Sequence, residues 1–264
     1  MANERKSYNI PYVAATYALF WGMLLSSGII MRLPLNKWIT ALFIILGSWT
    51  PTMTFLIMFR RIFPGITVKE FYRRSFAKHI NWLFVLTVTM IMTAIFAACV
   101  CIAALQKGAA VSELLNFSAP AIIFGLITSV LQGATGEESG WRGYLLPFVE
   151  KKAGVIKGSF IVGIIWTFWH TPLWFLTSGY KGQNLLIYII SFVIGIVSFA
   201  IIIGICYHHC NNLFIPIWMH FLFNFLTTFY TGKMINYIVY LAAFYTAAAL
   251  GFIVWHRVTV NKIH

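Results

Sequence analysis

The sequence predicts an all-α polytopic membrane protein with about eight transmembrane helices in one bundle. Of its 264 residues, 60% are hydrophobic and only 9% are charged, and the mean hydropathy is +0.83. That composition lies far from the soluble average. A helix needs about 20 mainly apolar residues to cross the hydrocarbon, and it satisfies all its backbone polar groups internally. The chain divides into eight such stretches with short connections.

In order, the expected spans are Tyr12–Ile30, Trp38–Phe59, Ile80–Ala104, Phe117–Thr135, Gly158–Leu176, Leu185–Tyr207, Leu213–Tyr230 and Met234–Trp255. The first follows Arg5 and Lys6; it is long for a cleavable signal peptide, and no A-x-A site follows it. Between the second and third, the segment from Arg60 to Lys78 mixes cations with Phe63, Ile66, Phe71, Tyr72 and Phe76. It reads as an amphipathic anchor on an anionic inner leaflet. The third span holds Cys99 and Cys101, and the sixth ends near Cys206 and Cys210, so no secreted disulfide framework is implied and core packing is expected. The fourth, fifth and seventh carry polar clusters. No soluble domain, low-complexity tail or internal repeat breaks the pattern, which predicts a single integral-membrane domain over residues 1–264 and argues against a two-fold transporter.

A net charge of +13 would raise the question of nucleic acid in a soluble protein. Here it reads as orientation, and no nucleic-acid partner is expected. With the N-terminus inside and eight crossings, fourteen of the nineteen Lys and Arg residues fall on the cytoplasmic side. Arg32, Lys37, Lys107, Lys181 and Lys233 fall outside. The positive-inside bias therefore predicts both termini in the cytoplasm.

Three polar clusters stand where lipid disfavours them. The first is Gly136-Glu137-Glu138-Ser139-Gly140-Trp141-Arg142-Gly143, in a chain with six acidic residues and no Asp. On a helix, Glu138 and Arg142 share a face, while Glu137 is turned about 100° away. The two carboxylates should do different work: Glu138 is fixed by Arg142, and the less compensated Glu137 is the candidate general base. Gly140 and Gly143 permit close backbone approach, and Pro147 should end or kink the helix soon after. The second cluster is His170, wrapped in aromatic residues at the end of Trp166-Thr167-Phe168-Trp169-His170 and able to share a water with Glu137. The third is His220 and Asn224, one helical turn apart, two donors able to hold an oxyanion. Each cluster alone also reads as structural, as an ion pair at the membrane border or as interhelical hydrogen bonds. Their convergence on three helices favours chemistry.

Glu137-Glu138-x-x-x-Arg142, an aromatic-x-x-x-His element from Trp166 to His170, and His220-x-x-x-Asn224, in that order, resemble the three signature motifs of the CAAX prenyl endopeptidase and bacteriocin-processing (CPBP, Abi-like) intramembrane protease family. The resemblance covers roughly Phe117 to Asn224, with the motifs inside 117–230. One departure is Trp166, where the family has Phe, which bears on pocket shape. The resemblance implies an eight-span intramembrane endopeptidase of the bacterial plasma membrane, with a cavity open to the cytoplasmic side and a peptide or lipidated protein as substrate. Glu137 and His170 would activate the water, His220 and Asn224 would stabilise the oxyanion, and Glu138, Arg142 and Trp166 would support the site. In eukaryotes, members of that family remove C-terminal tripeptides from prenylated proteins, and many bacterial relatives are similar to proteins linked with bacteriocin immunity or peptide maturation.

No cofactor is predicted. The rival chemistry is a catalytic zinc held by Glu137, His170 and His220, although no H-E-x-x-H is present and Asn224 suits an oxyanion better than a metal. His208, His209 and Cys210 form another conceivable metal group that reads more simply as a polar turn. Outside the enzyme class, the same charges would serve a proton- or cation-coupled transporter or a silent scaffold or immunity protein. Depth raises a conflict. A fourth span starting at Phe117 carries Glu137 almost to the inner surface, whereas His170, counted from Lys157, lies about 20 Å deep. A longer or tilted fourth helix, a later fifth span or a water-filled cavity would reconcile them.

Overall fold

The computed structural model describes residues 9–30 and 45–261, all-helical apart from connections and one isolated bridge between Leu115 and Tyr230. Arg5, Lys6, Arg32, Lys37, Lys262 and most of the first half of the expected second span lie outside the described residues. Helix α1 is Asn9–Ile30, α2 is Thr50–Ile62, α3 is Val68–Ser75 and α4 is Trp82–Lys107. The next stretch comprises α5, Ala119–Ser129, α6, Thr135–Gly140, and α7, Leu146–Ala153. Then follow α8, Val155–Trp169, α9, Thr171–Leu176, α10, Gly182–Cys210, α11, Phe214–Thr227, and α12, Met234–Asn261.

Among the described residues, four helical runs are long and apolar enough to cross a membrane: Trp82–Lys107, Ala119–Ala153, Gly182–Cys210 and Met234–Asn261. Val155–Trp169 and Phe214–Thr227 are shorter apolar helices. At a rise of about 1.5 Å per residue the 29-residue α10 exceeds the hydrocarbon thickness, so it must tilt or project. It forms the centre, packing along α12 on one side and α8 on the other.

Helix ends follow local chemistry. Asn81 Oδ1 accepts the Phe84 N–H at 3.1 Å to start α4, and Gly108, at φ 63°, closes it. Thr67 caps α3 by accepting the Glu70 N–H. Pro51, Pro120, Pro147 and Pro172 sit in the first turns of α2, α5, α7 and α9, where the missing N–H costs nothing.

Two expectations need correction. Of the two outcomes expected at Pro147, an end or a kink, the end does not occur: a π turn at Trp141–Leu145 leads into α7, whose second residue is the proline. The fifth span is not one helix from Gly158 to Leu176: it stops at Trp169, and α9 restarts beyond His170 with Pro172 in its first turn.

Candidate active site

The segment carrying Glu137 is preceded by a break. Gln132, at φ −103° and ψ 126°, and Gly133, at φ 82° and ψ −79°, leave helical space, so the 119–153 run bends where α5 gives way to α6. Only glycine suits Gly133. Its φ is positive, and a Cβ there would lie 2.7 Å from His220 Nε2 and 2.8 Å from Asn224 Nδ2. Gly140 answers a second close approach, because a Cβ would strike the Tyr12 hydroxyl and the Pro51 carbonyl of α2.

On α6 the two carboxylates part as the helical period requires. Glu138, fully buried, accepts from Arg142 Nη1 at 2.9 Å, and the same Oε1 accepts from His220 Nδ1 at 2.7 Å. Glu137, 3% exposed, turns the other way: its Oε2 accepts the Trp166 indole N–H at 2.5 Å and the Trp141 indole N–H at 3.3 Å. Trp166 joins the two sets, since the Arg142 guanidinium carbon stands 4.2 Å from the centroid of its ring. The expected i,i+4 pair of Glu138 and Arg142 is present. Its link to His220 was not legible, because it spans 82 residues.

His170 caps α8. Its Nδ1 lies 2.8 Å from the Trp166 carbonyl; a carbonyl only accepts, so Nδ1 carries the proton and Nε2 presents a lone pair. Helix α1 steadies this end of α8: the Tyr17 hydroxyl donates to the Ile165 carbonyl at 2.5 Å and the Trp21 indole donates to the Trp169 carbonyl at 3.0 Å. The Trp21 bond satisfies a terminal carbonyl of α8 that has no partner within the helix. On α11, Asn224 Nδ2 donates to the Gln132 carbonyl at 3.3 Å, which ties the break to the third motif.

Glu137, His170, His220 and Asn224 all line one cavity of about 550 Å³, together with Gly133, Phe20, Leu24, Phe223 and Met234 among others. That volume falls within the range of small-ligand sites. Of the features that would reconcile the depths of Glu137 and His170, the structure has the longer fourth run, which continues to Ala153. Helix α8 begins early, at Val155, but the run ending at Ala153 is broken and redirected at Gln132–Gly133, so Glu137 meets the His170 end of α8 inside the bundle.

The zinc alternative does not fit this arrangement. Among the described residues, no three His, Cys, Asp or Glu side chains are placed to hold one ion. The His208, His209 and Cys210 group is likewise no metal centre; His209 Nε2 instead lies 3.0 Å from His256 Nδ1 on α12.

Trp141 and the Gln132–Gly133 break were missed from sequence. Both had signals: Trp141 stands four residues after Glu137, and a polar residue followed by glycine inside an apolar run marks a helix interruption.

Residues 118–226 match the type II CAAX prenyl endopeptidase Rce1-like family. A CAAX prenyl protease 2 of Methanococcus maripaludis is 28% identical over 233 residues, covering 83% of this chain and 82% of that relative. All three polar clusters lie inside the matched stretch, and the two likenesses support reading this integral-membrane chain as an endopeptidase.

Proposed function

We propose that this endopeptidase hydrolyses peptide bonds of membrane-associated, prenylated or otherwise lipidated peptides with a water activated by Glu137 and His170. The observation that carries the reading is the convergence of Glu137, His170, His220 and Asn224 on one cavity. With Oε2 of Glu137 engaged by two indoles, Oε1 is the oxygen left to take a proton from water. With its Nδ1–H held by the Trp166 carbonyl, His170 accepts a hydrogen bond from the same water at Nε2, and the lone pair of the water oxygen attacks the scissile carbonyl.

As water adds to the carbonyl carbon, its proton passes to Glu137 and the carbonyl oxygen becomes an alkoxide. Asn224 Nδ2–H and His220 Nε2–H stabilise that oxygen. His220 donates from Nε2 only when both ring nitrogens carry protons, and Glu138 stands at Nδ1 to balance that charge. Collapse of the tetrahedral intermediate breaks the C–N bond, and Glu137 returns the proton to the leaving amine. The apolar side chains of Phe20, Leu24, Phe223 and Met234 in the same cavity suit a lipid-modified substrate.

In this reading the whole chain is one integral-membrane domain with both termini and the cavity mouth cytoplasmic, and membrane lipids surround it. Cysteines placed singly at residues 78, 107 and 233 and labelled from either side of sealed vesicles test the orientation. The decisive assay incubates purified protein with farnesylated and unmodified C-terminal peptides. Cleavage by the wild type and none by Glu137→Ala supports the reading; equal cleavage by both overturns it.

A further inference from the structure

The segment from Arg60 to Lys78 carries six cations, Arg60, Arg61, Lys69, Arg73, Arg74 and Lys78, against one carboxylate, Glu70. All six cations are exposed. Glu70 is engaged locally: Arg73 Nε and Nη2 donate to its two oxygens at 2.7 and 2.8 Å, and Arg74 Nε donates to Oε1 at 2.6 Å. These bonds lower its carboxyl to about 2, so it remains ionised and the surplus of positive charge persists at every physiological pH. Helix α3 lies between the end of α2 and the start of the 26-residue α4, which is long and apolar enough to cross a membrane.

The other face of α3 is fastened to the active site. Phe71 is buried against Phe55, Phe59 and Phe63, and its Cζ lies 3.2 Å from where a Cβ on Gly143 would stand. The Tyr72 hydroxyl donates to Ser139 Oγ at 3.1 Å, one residue beyond Glu138. Two further bonds reach the start of the helix that carries His220 and Asn224: the Leu213 N–H donates to the Ser75 carbonyl at 2.8 Å, and Asn212 Nδ2 donates to the Lys78 carbonyl at 2.6 Å. One eight-residue helix thus touches both α6 and the approach to α11.

We infer that the Arg60–Lys78 face docks anionic lipid headgroups, and that their occupancy sets the activity by seating α3 against Ser139 and Gly143. This rests on the proposed roles of Glu137 and His220. An occupant shifts a conformational equilibrium only by binding one state better, and here charge supplies the difference. Seated, α3 packs Phe71 on Phe59 and Phe63, which holds Lys69, Arg73 and Arg74 near Arg60 and Arg61, and lipid phosphates relieve the repulsion among them. So short a helix has little stability without tertiary contacts, and its seating is therefore adjustable.

The test reconstitutes the full chain in neutral phosphatidylcholine vesicles and in vesicles with added phosphatidylglycerol, and follows cleavage of a farnesylated peptide. Expected is a several-fold higher rate with the anionic lipid, fading in high salt, and no change when inorganic phosphate is added to neutral vesicles. Combined Arg60→Gln, Arg61→Gln, Lys69→Gln and Lys78→Gln substitutions, which leave the Glu70 pairs intact, should abolish the response and keep the neutral-vesicle rate. Tyr72→Phe should retain the lipid and lose part of the response. Equal rates of the wild type in both vesicles, or a response that survives the four substitutions, overturns the inference. Native mass spectrometry reads docking without activity: phosphatidylglycerol retained by the wild type and lost in the fourfold variant is expected, and equal retention overturns the surface. A protein that holds the lipid selectively and cleaves nothing would refute the catalytic reading and leave docking supported.

Discussion

Trp166 donates its indole N–H to Glu137 Oε2 at 2.5 Å, across 29 residues of sequence, while its ring face lies against Arg142. At this position, where the resembling family has Phe, the chain carries a hydrogen-bond donor as well as a ring. With a Phe there, the same carboxylate oxygen would keep only the longer bond from Trp141.

Trp166→Phe keeps most of the ring and removes the N–H. A hydrogen bond to an ionised group contributes about 1.5–3 kcal/mol, or roughly 10- to 100-fold in rate. Steady-state cleavage should show a fall of that size in kcat with KM little changed, and a thermal melt should show the fold retained. A variant with wild-type kcat would remove the indole from the mechanism.

The two adjacent carboxylates should fail in different ways. Glu137→Gln is expected to lose at least about 100-fold in rate while unfolding at nearly the wild-type temperature. Glu138→Gln leaves the buried Arg142 charge uncompensated, a loss of about 3–5 kcal/mol, and should lower the midpoint of thermal unfolding in detergent. The reverse pattern would exchange their roles.

Asn224→Ala should cut kcat by about 100- to 1000-fold, the usual range for one lost oxyanion donor, with substrate affinity preserved. Parallel binding measurements with a non-cleavable peptide separate the two effects.

Gly133→Ala places a methyl group between His220 and Asn224 at a positive φ, strain of about 1–3 kcal/mol. Activity should collapse while helix content by circular dichroism stays unchanged. An active Gly133→Ala enzyme would mean that the break at Gln132–Gly133 does not shape the cavity.

Because the described His, Cys, Asp and Glu side chains form no three-ligand set, cleavage should persist after prolonged dialysis against a chelator. Loss of activity with recovery on added zinc would restore Glu137, His170 and His220 as ligands.

Much of this was legible along the chain. Composition and apolar runs specified an all-helical membrane protein, because lipid leaves the backbone few alternatives. The Glu138–Arg142 pair and the opposite facing of Glu137 followed from the 3.6-residue period alone. Span ends were less legible. The expected helix through His170 stops there, and the run expected to halt near Thr135 continues to Ala153, because a break and a π turn depend on what packs beside them.

The sequence by itself determined the solvent the protein lives in and which ionisable side chains stand where lipid would forbid them, since both follow from composition and local period. Only the tertiary structure decided that Glu138 binds His220, that two indoles hold Glu137, and that a bend at Gly133 lets three helices share one cavity. Those outcomes are contacts between residues far apart in the chain, chosen by packing and by the need to satisfy buried polar groups, and no local pattern encodes them.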